Sequence, residues 1–336
     1  VPSPPAQIIP FIVYNYTMRL IVTGGAGFIG SNFVCYILKK YPDYRVMVID
    51  SMNYASDINN LAEVIDDIDF IKADITDVDE MQRLTKDADL VINFAAQTHV
   101  DNSFKEPLVF ANTNILGTIS LLEAARKNKF LFYQISTDEV FGELELDSKT
   151  LFNEKTSYNP KTPYSASKAS ADNFVVAYGE SYGIEYLISN CSNNYGPKQF
   201  PEKIIPLFII NSFEKKKLPV YGNGKNIRDY LHVSDHCIAI DSIIHHSKRN
   251  TSYCIGGGTE LSSLEVAKAI LEVQNIDDSL ISFVDDRNQN DLRYAIDSTK
   301  LLNETGWKPK LDFKTGLIET INWYRNNRDW WINKIK

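Results

Sequence analysis

A glycine-rich turn near the start of the chain constrains the fold more than any other feature. It reads TGGAGFIG over residues 23–30, follows the β-branched segment Arg19–Thr23, and precedes a segment with helical apolar spacing over residues 31–40. Glycines at such a turn let the backbone approach a phosphate group at the N-terminus of the following helix. The pattern predicts the first strand, turn and helix of a dinucleotide-binding fold.

Asp50 supplies the second part of this pattern. It ends the strand-like segment Arg45–Asp50, about 20 residues after the turn. Its carboxylate can accept hydrogen bonds from an adenine ribose diol and would repel a 2′-phosphate, and residues 51–54 contain no arginine that could offset the repulsion. We therefore predict NAD, and not NADP, as the cofactor. Asp74 follows the third strand-like segment, where it either contacts the adenine together with Ile75 or caps a helix.

Strand-like and helix-like segments alternate through the first half of the chain. Further apolar strand-like runs lie at residues 69–73, 90–94 and 130–135, and a helical segment lies at 114–127. This alternation predicts an α/β fold with a doubly wound parallel sheet, the Rossmann arrangement. After about residue 190 prolines and aromatic residues become frequent, and helices are predicted at about 234–247, 262–274 and 313–327.

The change of pattern predicts a smaller C-terminal substrate-binding lobe over the carboxyl edge of the sheet, where open α/β folds bind ligands. We divide the chain into a leader or extension over residues 1–17, an NAD-binding domain over 18–190, and a mainly ligand-binding lobe over 191–336. Met18 directly precedes the first strand and has the position of a natural start. The leader lacks the basic and long apolar regions of a signal peptide.

Charge and composition argue against several classes of partner. The formal net charge is −8 and no basic stripe is visible, which argues against a nucleic-acid partner. No apolar run approaches the roughly 20 residues that cross a bilayer, so no membrane association is predicted. The cysteines lack the spacing of a metal or redox site, so we predict no metal, a reducing compartment and a cytoplasmic location. They are Cys35, Cys191, Cys237 and Cys254.

Two groups of side chains are the predicted catalytic residues. Tyr164 and Lys168 are four residues apart, so on a helix they share one face. The positive charges of a nearby lysine and of a cationic nicotinamide would both favour the phenolate form of the tyrosine. Thr137 follows the fifth strand-like run and can hydrogen-bond an oxygen that is being oxidised. Asp138 and Glu139 then form an adjacent acid pair suited to one protonated and one ionised role. The alternative is a solvated turn at the start of a helix, where acids are favoured.

These residues belong to motifs that resemble the extended short-chain dehydrogenase/reductase superfamily and, within it, the nucleoside-diphosphate-glucose 4,6-dehydratases. The resemblance extends from about Met18 to Trp331. Besides Tyr164 and Lys168, its landmarks are GGAGFIG at 24–30, AAQTHVD at 95–101, TDEVFG at 137–142, NNYGP at 193–197, FPEK at 200–203 and RDY at 228–230. The Asp-Glu pair distinguishes dehydratases from sugar 4-epimerases of the same fold.

The resemblance implies a lyase that acts in three steps, as in deoxysugar and rhamnose biosynthesis. Tyr164, assisted by Thr137 and Lys168, takes the 4-hydroxyl proton while NAD accepts hydride from C4. Glu139 then removes the C5 proton, which the new ketone has acidified, and Asp138 protonates the departing 6-hydroxyl group. Hydride returns to C6, so the cofactor is regenerated.

The resemblance also implies the binding residues. Together with the residues discussed above, we expect cofactor contacts from Gly24, Gly27, Phe28, Ile29, Gly30, Asp50, Asn53, Asp74, Ile75, Phe94, Ala95, Ala96, Thr113, Tyr164, Lys168 and Asn194. Substrate contacts are expected from Thr98, Thr137, Asn193, Lys203, Pro219, Tyr221, Arg228, Arg287 and Tyr294. The two arginines could clamp a diphosphate bidentately, or could be surface arginines without partners.

The nucleotide is predicted from departures within the motifs. Residues 288–290 read NQN where bacterial dTDP-glucose enzymes usually have Pro-Gly-His, and Ser263 replaces an expected asparagine. The segments 94–104, 195–203 and 287–294 look closer to eukaryotic-type enzymes, including the UDP-glucose dehydratase domain of rhamnose synthases. We therefore expect UDP-glucose to be preferred over dTDP-glucose.

Two other functions remain open at this point. One is a nucleotide-sugar 4-epimerase or decarboxylase of the same superfamily, and the other is a non-catalytic NAD-binding regulator. Family members usually form homodimers through two helices of each subunit, which here would be residues 105–127 and 163–182. A homodimer is therefore expected.

Overall fold

The computed structural model describes residues 17–286 and 289–335, so the predicted leader over residues 1–17 lies almost wholly outside the described residues. The strands, in chain order, are β1 Arg19–Thr23, β2 Arg45–Asp50, β3 Ile68–Lys72, β4 Leu90–Asn93, β5 Leu131–Thr137, β6 Tyr186–Cys191, β7 Asn193–Tyr195, β8 Leu218–Tyr221, β9 Ile227–His232, β10 Thr251–Ile255, β11 Glu260–Ser262 and β12 Ile281–Val284.

The α-helices flank these strands. They are α1 Phe28–Lys40, α2 Val78–Leu84, α3 Val100–Lys105, α4 Pro107–Phe110, α5 Gly117–Asn128, α6 Pro163–Tyr182, α7 Ile204–Phe213, α8 Val233–His246, α9 Ser263–Val273, α10 Thr299–Thr305, α11 Phe313–Asn326 and α12 Arg328–Ile332. A π-helical turn, Ala111–Leu116, joins α4 to α5.

Seven parallel strands form the main sheet, in the order β10-β6-β5-β4-β1-β2-β3. The central strands are apolar at nearly every position and buried along their length, as expected of a sheet covered on both faces. One face packs on α1 and α8, and the other packs on α5 and α6. The predicted doubly wound parallel sheet is confirmed.

The second half of the chain builds a smaller lobe with its own apolar core. Residues of α7, α9 and α11 pack together there, next to a three-stranded sheet of order β11-β9-β7 and the parallel pair β12-β8. The second half does not lie entirely in this lobe, because β10 pairs with β6 and α8 packs against α1.

The helix around residues 114–127 begins earlier than the sequence predicts. It starts at Pro107 and passes through the π-helical turn, in which Asn114 accepts a hydrogen bond from Gln97 N and donates one to Ser167 Oγ. The combined helix Pro107–Asn128 is long and apolar enough to cross a bilayer by length and composition alone. Half of its most apolar window is buried, and it packs against α2 and α6 as a core helix.

Candidate active site

The glycine turn between β1 and α1 has a conformation that only glycine fits. Gly24 has a φ of +67°, and a Cβ atom there would lie 2.5 Å from the Ala95 backbone nitrogen. A Cβ atom on Gly30 would lie 2.4 Å from the Gly24 carbonyl oxygen. Gly27, the N-cap of α1, has no side chain to cap the helix, so the first amides of α1 are left for a ligand.

A cleft of about 510 Å³ opens at this turn and runs along the carboxyl ends of the main-sheet strands. Every position predicted to contact the cofactor lines it, from the glycine turn through Asp50, Phe94 and Thr113 to Asn194. Tyr164, Lys168 and Thr137 line the same cleft. The parallel strands end at one edge of the sheet, which explains why residues so distant in sequence meet there.

Asp50 and Asp74 both make local hydrogen bonds while lining this cleft. Asp50 accepts bonds from Ala26 N at 3.0 Å and from Ser56 Oγ at 2.8 Å, so it also fixes the glycine turn against β2. Asp74 Oδ1 accepts bonds from the backbone N and the Oγ1 of Thr76, each at 2.9 Å. Asp74 therefore caps the turn before α2, although the N-cap of that helix is Asp77.

Helix α6 presents Tyr164 and Lys168 from its first two turns. Thr162 and Ser165 form a reciprocal capping box and Pro163 occupies the first turn, so the local sequence fixes where α6 begins. Both functional side chains are almost fully buried. Lys168 Nζ donates a hydrogen bond to the Ile135 carbonyl at 2.7 Å, which ties α6 to β5.

The acid pair follows β5 in a short 3₁₀ turn, Asp138–Phe141. Asp138 is only 1% exposed, so it does not lie in a solvated turn. Its Oδ1 accepts a hydrogen bond from Thr137 Oγ1 at 3.2 Å, and its Oδ2 has no partner among the described residues. Burial raises the pKa of Asp138 well above its ordinary value, and the charges of Glu139 and Asp229 raise it further. These effects all favour the protonated form of this carboxyl.

Burial has the largest effect on the pKa of Tyr164. Burial raises the pKa of the phenol well above its ordinary value, and the charge of Glu139 adds to this effect, while a hydrogen bond with Thr137 lowers it in part. The same burial lowers the pKa of Lys168. The sequence shows the tyrosine–lysine spacing but not the desolvation of the pair, so the phenol is neutral in this structure.

A second cavity, of about 370 Å³, adjoins the first beneath the C-terminal lobe. It is lined by most of the predicted substrate residues, namely Asn193, Lys203, Pro219, Tyr221, Arg228 and Tyr294. Thr98 and Thr137 line the larger cleft instead, and Arg287 and Asn288 lie outside the described residues. Glu139, Asn193 and Lys203 line both cavities. Glu139 therefore lies where the two cavities meet, and Asp138 lines the larger cleft beside it.

Arg228 is a partnered arginine in the wall of this second cavity. Its guanidinium donates to the Ile227 and Asp291 carbonyl oxygens, each at 2.8 Å, and lies 4.3 Å from the centre of the Tyr294 ring. The Tyr294 hydroxyl in turn donates to Asp291. These contacts orient a fixed positive charge toward the cavity.

Several lining residues were not among the predicted binding residues. His99 and Glu202 lie within the quoted motifs, and their side chains approach each other to 3.9 Å, with Tyr54 donating to Glu202 at 3.1 Å. Gln199 and Asn290 also line the second cavity. Motif membership could have identified the first two. The segment 287–294 stands out in the sequence as a departure from the bacterial motif, but nothing in it marks Asn290 as a lining residue.

Comparison with known proteins confirms the resemblance. A model of the GDP-mannose 4,6 dehydratase family matches residues 21–320. A dTDP-glucose 4,6-dehydratase of Mycobacterium tuberculosis (strain CDC 1551 / Oshkosh) is 46% identical over 315 residues, which cover 94% of this chain and 95% of the relative.

Solved structures agree with this result. A dTDP-glucose 4,6-dehydratase of Streptomyces venezuelae, solved with NAD bound, has a TM-score of 0.91 at 41% identity, covering 94% of this chain and 100% of the other. A UDP-glucose 4-epimerase of Thermotoga maritima has a TM-score of 0.86 at 28% identity, covering 93% and 100%. The chain belongs to the nucleotide-sugar 4,6-dehydratase family of the extended short-chain dehydrogenases/reductases.

Proposed function

We propose that the protein is an NAD-dependent enzyme that converts dTDP-glucose into its 4-keto-6-deoxy derivative and water. The observation that carries this proposal is the acid pair of buried Asp138 and half-buried Glu139 in the same cleft as Tyr164, with Glu139 at the junction of the two cavities. An acid, a base and a phenol beside one sugar-sized space are the groups that oxidation followed by elimination requires.

The larger cleft fits NAD. The glycine turn provides uncapped helix amides for a pyrophosphate, and the Asp50 carboxylate at the end of β2 favours a ribose diol over a 2′-phosphate. The Streptomyces venezuelae relative binds NAD in its structure. When bound, NAD supplies a hydride acceptor for C4 of the sugar and later a hydride donor for C6.

We assign the remaining chemistry to residues of this chain. The positive charges of Lys168 and of a bound nicotinamide would lower the pKa of Tyr164. Its phenolate would then take the proton of the 4-hydroxyl group, while Thr137 hydrogen-bonds the same oxygen. Oxidation at C4 acidifies the C5 proton, and Glu139 removes it. Asp138 protonates the 6-hydroxyl group as it leaves, and its raised pKa supports this role because a general acid must hold its proton at neutral pH.

The choice of nucleotide differs from the sequence-based expectation. The relatives at 41–46% identity are named dTDP-glucose enzymes, and the comparisons do not support a preference for UDP-glucose. Thymine differs from uracil by one methyl group, and apolar Leu207, Phe208 and Pro219 line the second cavity. Burying one such group stabilises binding by about 0.8 kcal/mol, so we expect kcat/KM to favour dTDP-glucose by a modest factor of about 3 to 10.

Product mass tests the proposal and separates it from an epimerase. Dehydration makes the sugar nucleotide lighter by one water molecule, whereas epimerisation leaves its mass unchanged. The purified protein should be incubated with NAD and each of dTDP-glucose and UDP-glucose, and the products resolved by mass spectrometry. A product of unchanged mass would support the 4-epimerase alternative, and no product with either substrate would support an NAD-binding regulator.

We also propose a cytoplasmic homodimer. Large apolar side chains are exposed on the outer faces of helix Pro107–Asn128 and of α6, including Leu108 at 82%, Leu116 at 54% and Tyr182 at 44%. A face of this kind on two neighbouring helices suits a symmetric contact with a second copy. Light scattering should give the dimer mass, and Leu108→Glu with Leu116→Glu should give the monomer mass.

A further inference from the structure

A buried carboxylate lies one helical turn beyond Lys168. Asp172, on α6, is 0% exposed and lines a separate cavity of about 210 Å³ that shares no lining residue with the two cavities of the active site. Its Oδ2 accepts hydrogen bonds from Ser136 Oγ at 2.6 Å, Tyr158 Oη at 3.1 Å and Asn190 Nδ2 at 3.2 Å. Its Oδ1 has no partner within the described part of the chain.

These bonds join the elements that carry the proposed catalytic groups. Ser136 directly precedes Thr137 at the end of β5, and Asn190 on β6 also donates to the Thr137 carbonyl at 3.2 Å. Tyr164 and Lys168 lie on the same helix as Asp172. One carboxylate oxygen therefore holds β5, β6 and α6 together at the point where Thr137 enters the cleft.

The charge of Asp172 also acts on Lys168. Burial lowers the pKa of this lysine, and the negative charge of Asp172 is the main effect that opposes the loss of its proton. A buried ammonium group without a compensating charge tends to become neutral. The hydrogen bond that Lys168 Nζ donates goes to the Ile135 carbonyl, which carries no net charge and so cannot replace the charge of Asp172.

We infer that Asp172 is a positioning residue of this active site, whose carboxylate keeps Lys168 in its cationic form and holds the end of β5 against α6. It lines neither cavity of the site, so it acts through Lys168 and Thr137. The effect on turnover rests on the proposed function, whereas the effect on Lys168 does not.

The surroundings of Asp172 are compatible with an ionised carboxylate. Burial raises its pKa to about 6, and Lys168 and the three hydrogen bonds limit the rise, so it is ionised at pH 8. The other titratable groups nearby are Tyr158 and Glu154 beside the same cavity, Cys191 on β6 and Cys254 on β10. Burial raises the pKa values of Tyr158, Cys191 and Cys254, so these three are neutral and supply no competing charge.

Asp172→Asn removes the charge of this side chain while keeping its size and shape. The asparagine oxygen can take the place of Oδ2 and accept the same three bonds, while its NH₂ group occupies the position of the unpartnered Oδ1. Val175→Ala is the matched control, because Val175 is a fully buried residue of the same helix and its truncation changes packing but no charge.

The test measures the protonation of Lys168 directly, by NMR of the NAD-loaded protein carrying [13Cε]lysine. The Lys168 resonance is assigned as the one that is missing from the spectrum of Lys168→Met. We expect the Lys168 titration midpoint to fall by about one pH unit or more in Asp172→Asn and to stay unchanged in Val175→Ala. An unchanged midpoint in Asp172→Asn overturns the inference, whatever sugar nucleotide the enzyme accepts.

Turnover gives the second readout. We expect kcat of Asp172→Asn at pH 7 to fall about tenfold with KM unchanged, and the acidic limb of the kcat–pH profile to move to higher pH, because a neutral Lys168 stabilises the Tyr164 phenolate less. If kcat fell equally in both variants and the acidic limb of the kcat–pH profile did not move, Asp172 would contribute only to packing and the inference would be wrong. An inactive wild type would count against the proposed function and leave the NMR result standing.

Discussion

Asp138→Asn is expected to stabilise the folded protein at neutral pH while it slows turnover. The side chain is buried in the folded state, where burial, Glu139 and Asp229 all raise its pKa and favour the protonated form. In the unfolded chain its pKa returns to about 3.8, so the carboxyl is ionised there at neutral pH. Folding of the wild type above the unfolded pKa is therefore accompanied by proton uptake.

The sign and size of the effect follow from this proton uptake. A raised carboxyl pKa lowers the free energy of unfolding as pH rises, by about 1.4 kcal/mol for each pH unit between the unfolded and the folded pKa. Asparagine takes up no proton, so the gain in free energy of unfolding of Asp138→Asn over the wild type should be absent near pH 4 and grow as pH rises. Loss of the general acid should lower kcat by about 10²–10⁴-fold.

Denaturant unfolding from pH 4 to pH 8 measures the stability, with Asp241→Asn as a control of opposite sign. Burial raises the pKa of Asp241, but bonds from His245, Lys40 and Tyr36 outweigh it and lower the pKa to about 2. That carboxylate stabilises the fold above pH 4 and loses this effect as pH falls toward 2. Asp241→Asn should therefore cost about 1–2 kcal/mol at pH 7, after allowance for solvent screening.

A result of the wrong sign would refute this reasoning. If Asp138→Asn destabilised the protein at pH 7 as Asp241→Asn does, Asp138 would be ionised in the folded state and could not be the acid. If kcat were unchanged, the proton for the leaving 6-hydroxyl group would come from another residue.

Three further substitutions probe the same site. Glu139→Gln should abolish release of the 4-keto product yet leave reduction of bound NAD by substrate visible in absorbance, and normal turnover would mean that another residue removes the C5 proton. Tyr164→Phe should prevent even this first reduction, and a normal rate of NADH appearance would exclude the phenol as the base. Gly24→Ala should weaken NAD binding at least tenfold by calorimetry, because its Cβ would lie 2.5 Å from the Ala95 nitrogen at a positive φ; unchanged affinity would show that the turn can move.

The sequence predicts the parallel strands well because each is a short apolar run between turns. Two strands, Arg19–Thr23 and Arg45–Asp50, have the predicted bounds. β5 extends two residues beyond the prediction, to Thr137, because polar Ser136 and Thr137 pair with β6 although they resemble a turn in isolation. Pairing between distant strands is not visible in a local pattern, which explains the difference.

The same distinction applies to the site. Residues that follow parallel strands could be predicted to meet, because topology brings those ends to one edge. The sequence predicts one protonated and one ionised acid, but not the burial that shifts the pKa values of Asp138 and Tyr164, because burial depends on the whole surrounding structure. Nor does it predict the contacts of Arg228 with Asn290 and Asp291, which lie in a loop more than 60 residues further along the chain.

Strand β10 determines how this polypeptide could be divided. It comes from the second half of the sequence, yet it pairs with β6 from Thr251 to Ile255 and completes the row of seven strands. A fragment that stopped near residue 190 would keep the pairing of β6 with β5 but leave the edge of β6 that faces β10 unpaired, and such an open edge promotes aggregation. The two halves are thus poor candidates for separate expression, and pieces cut near that point should regain a native form only when they are refolded together.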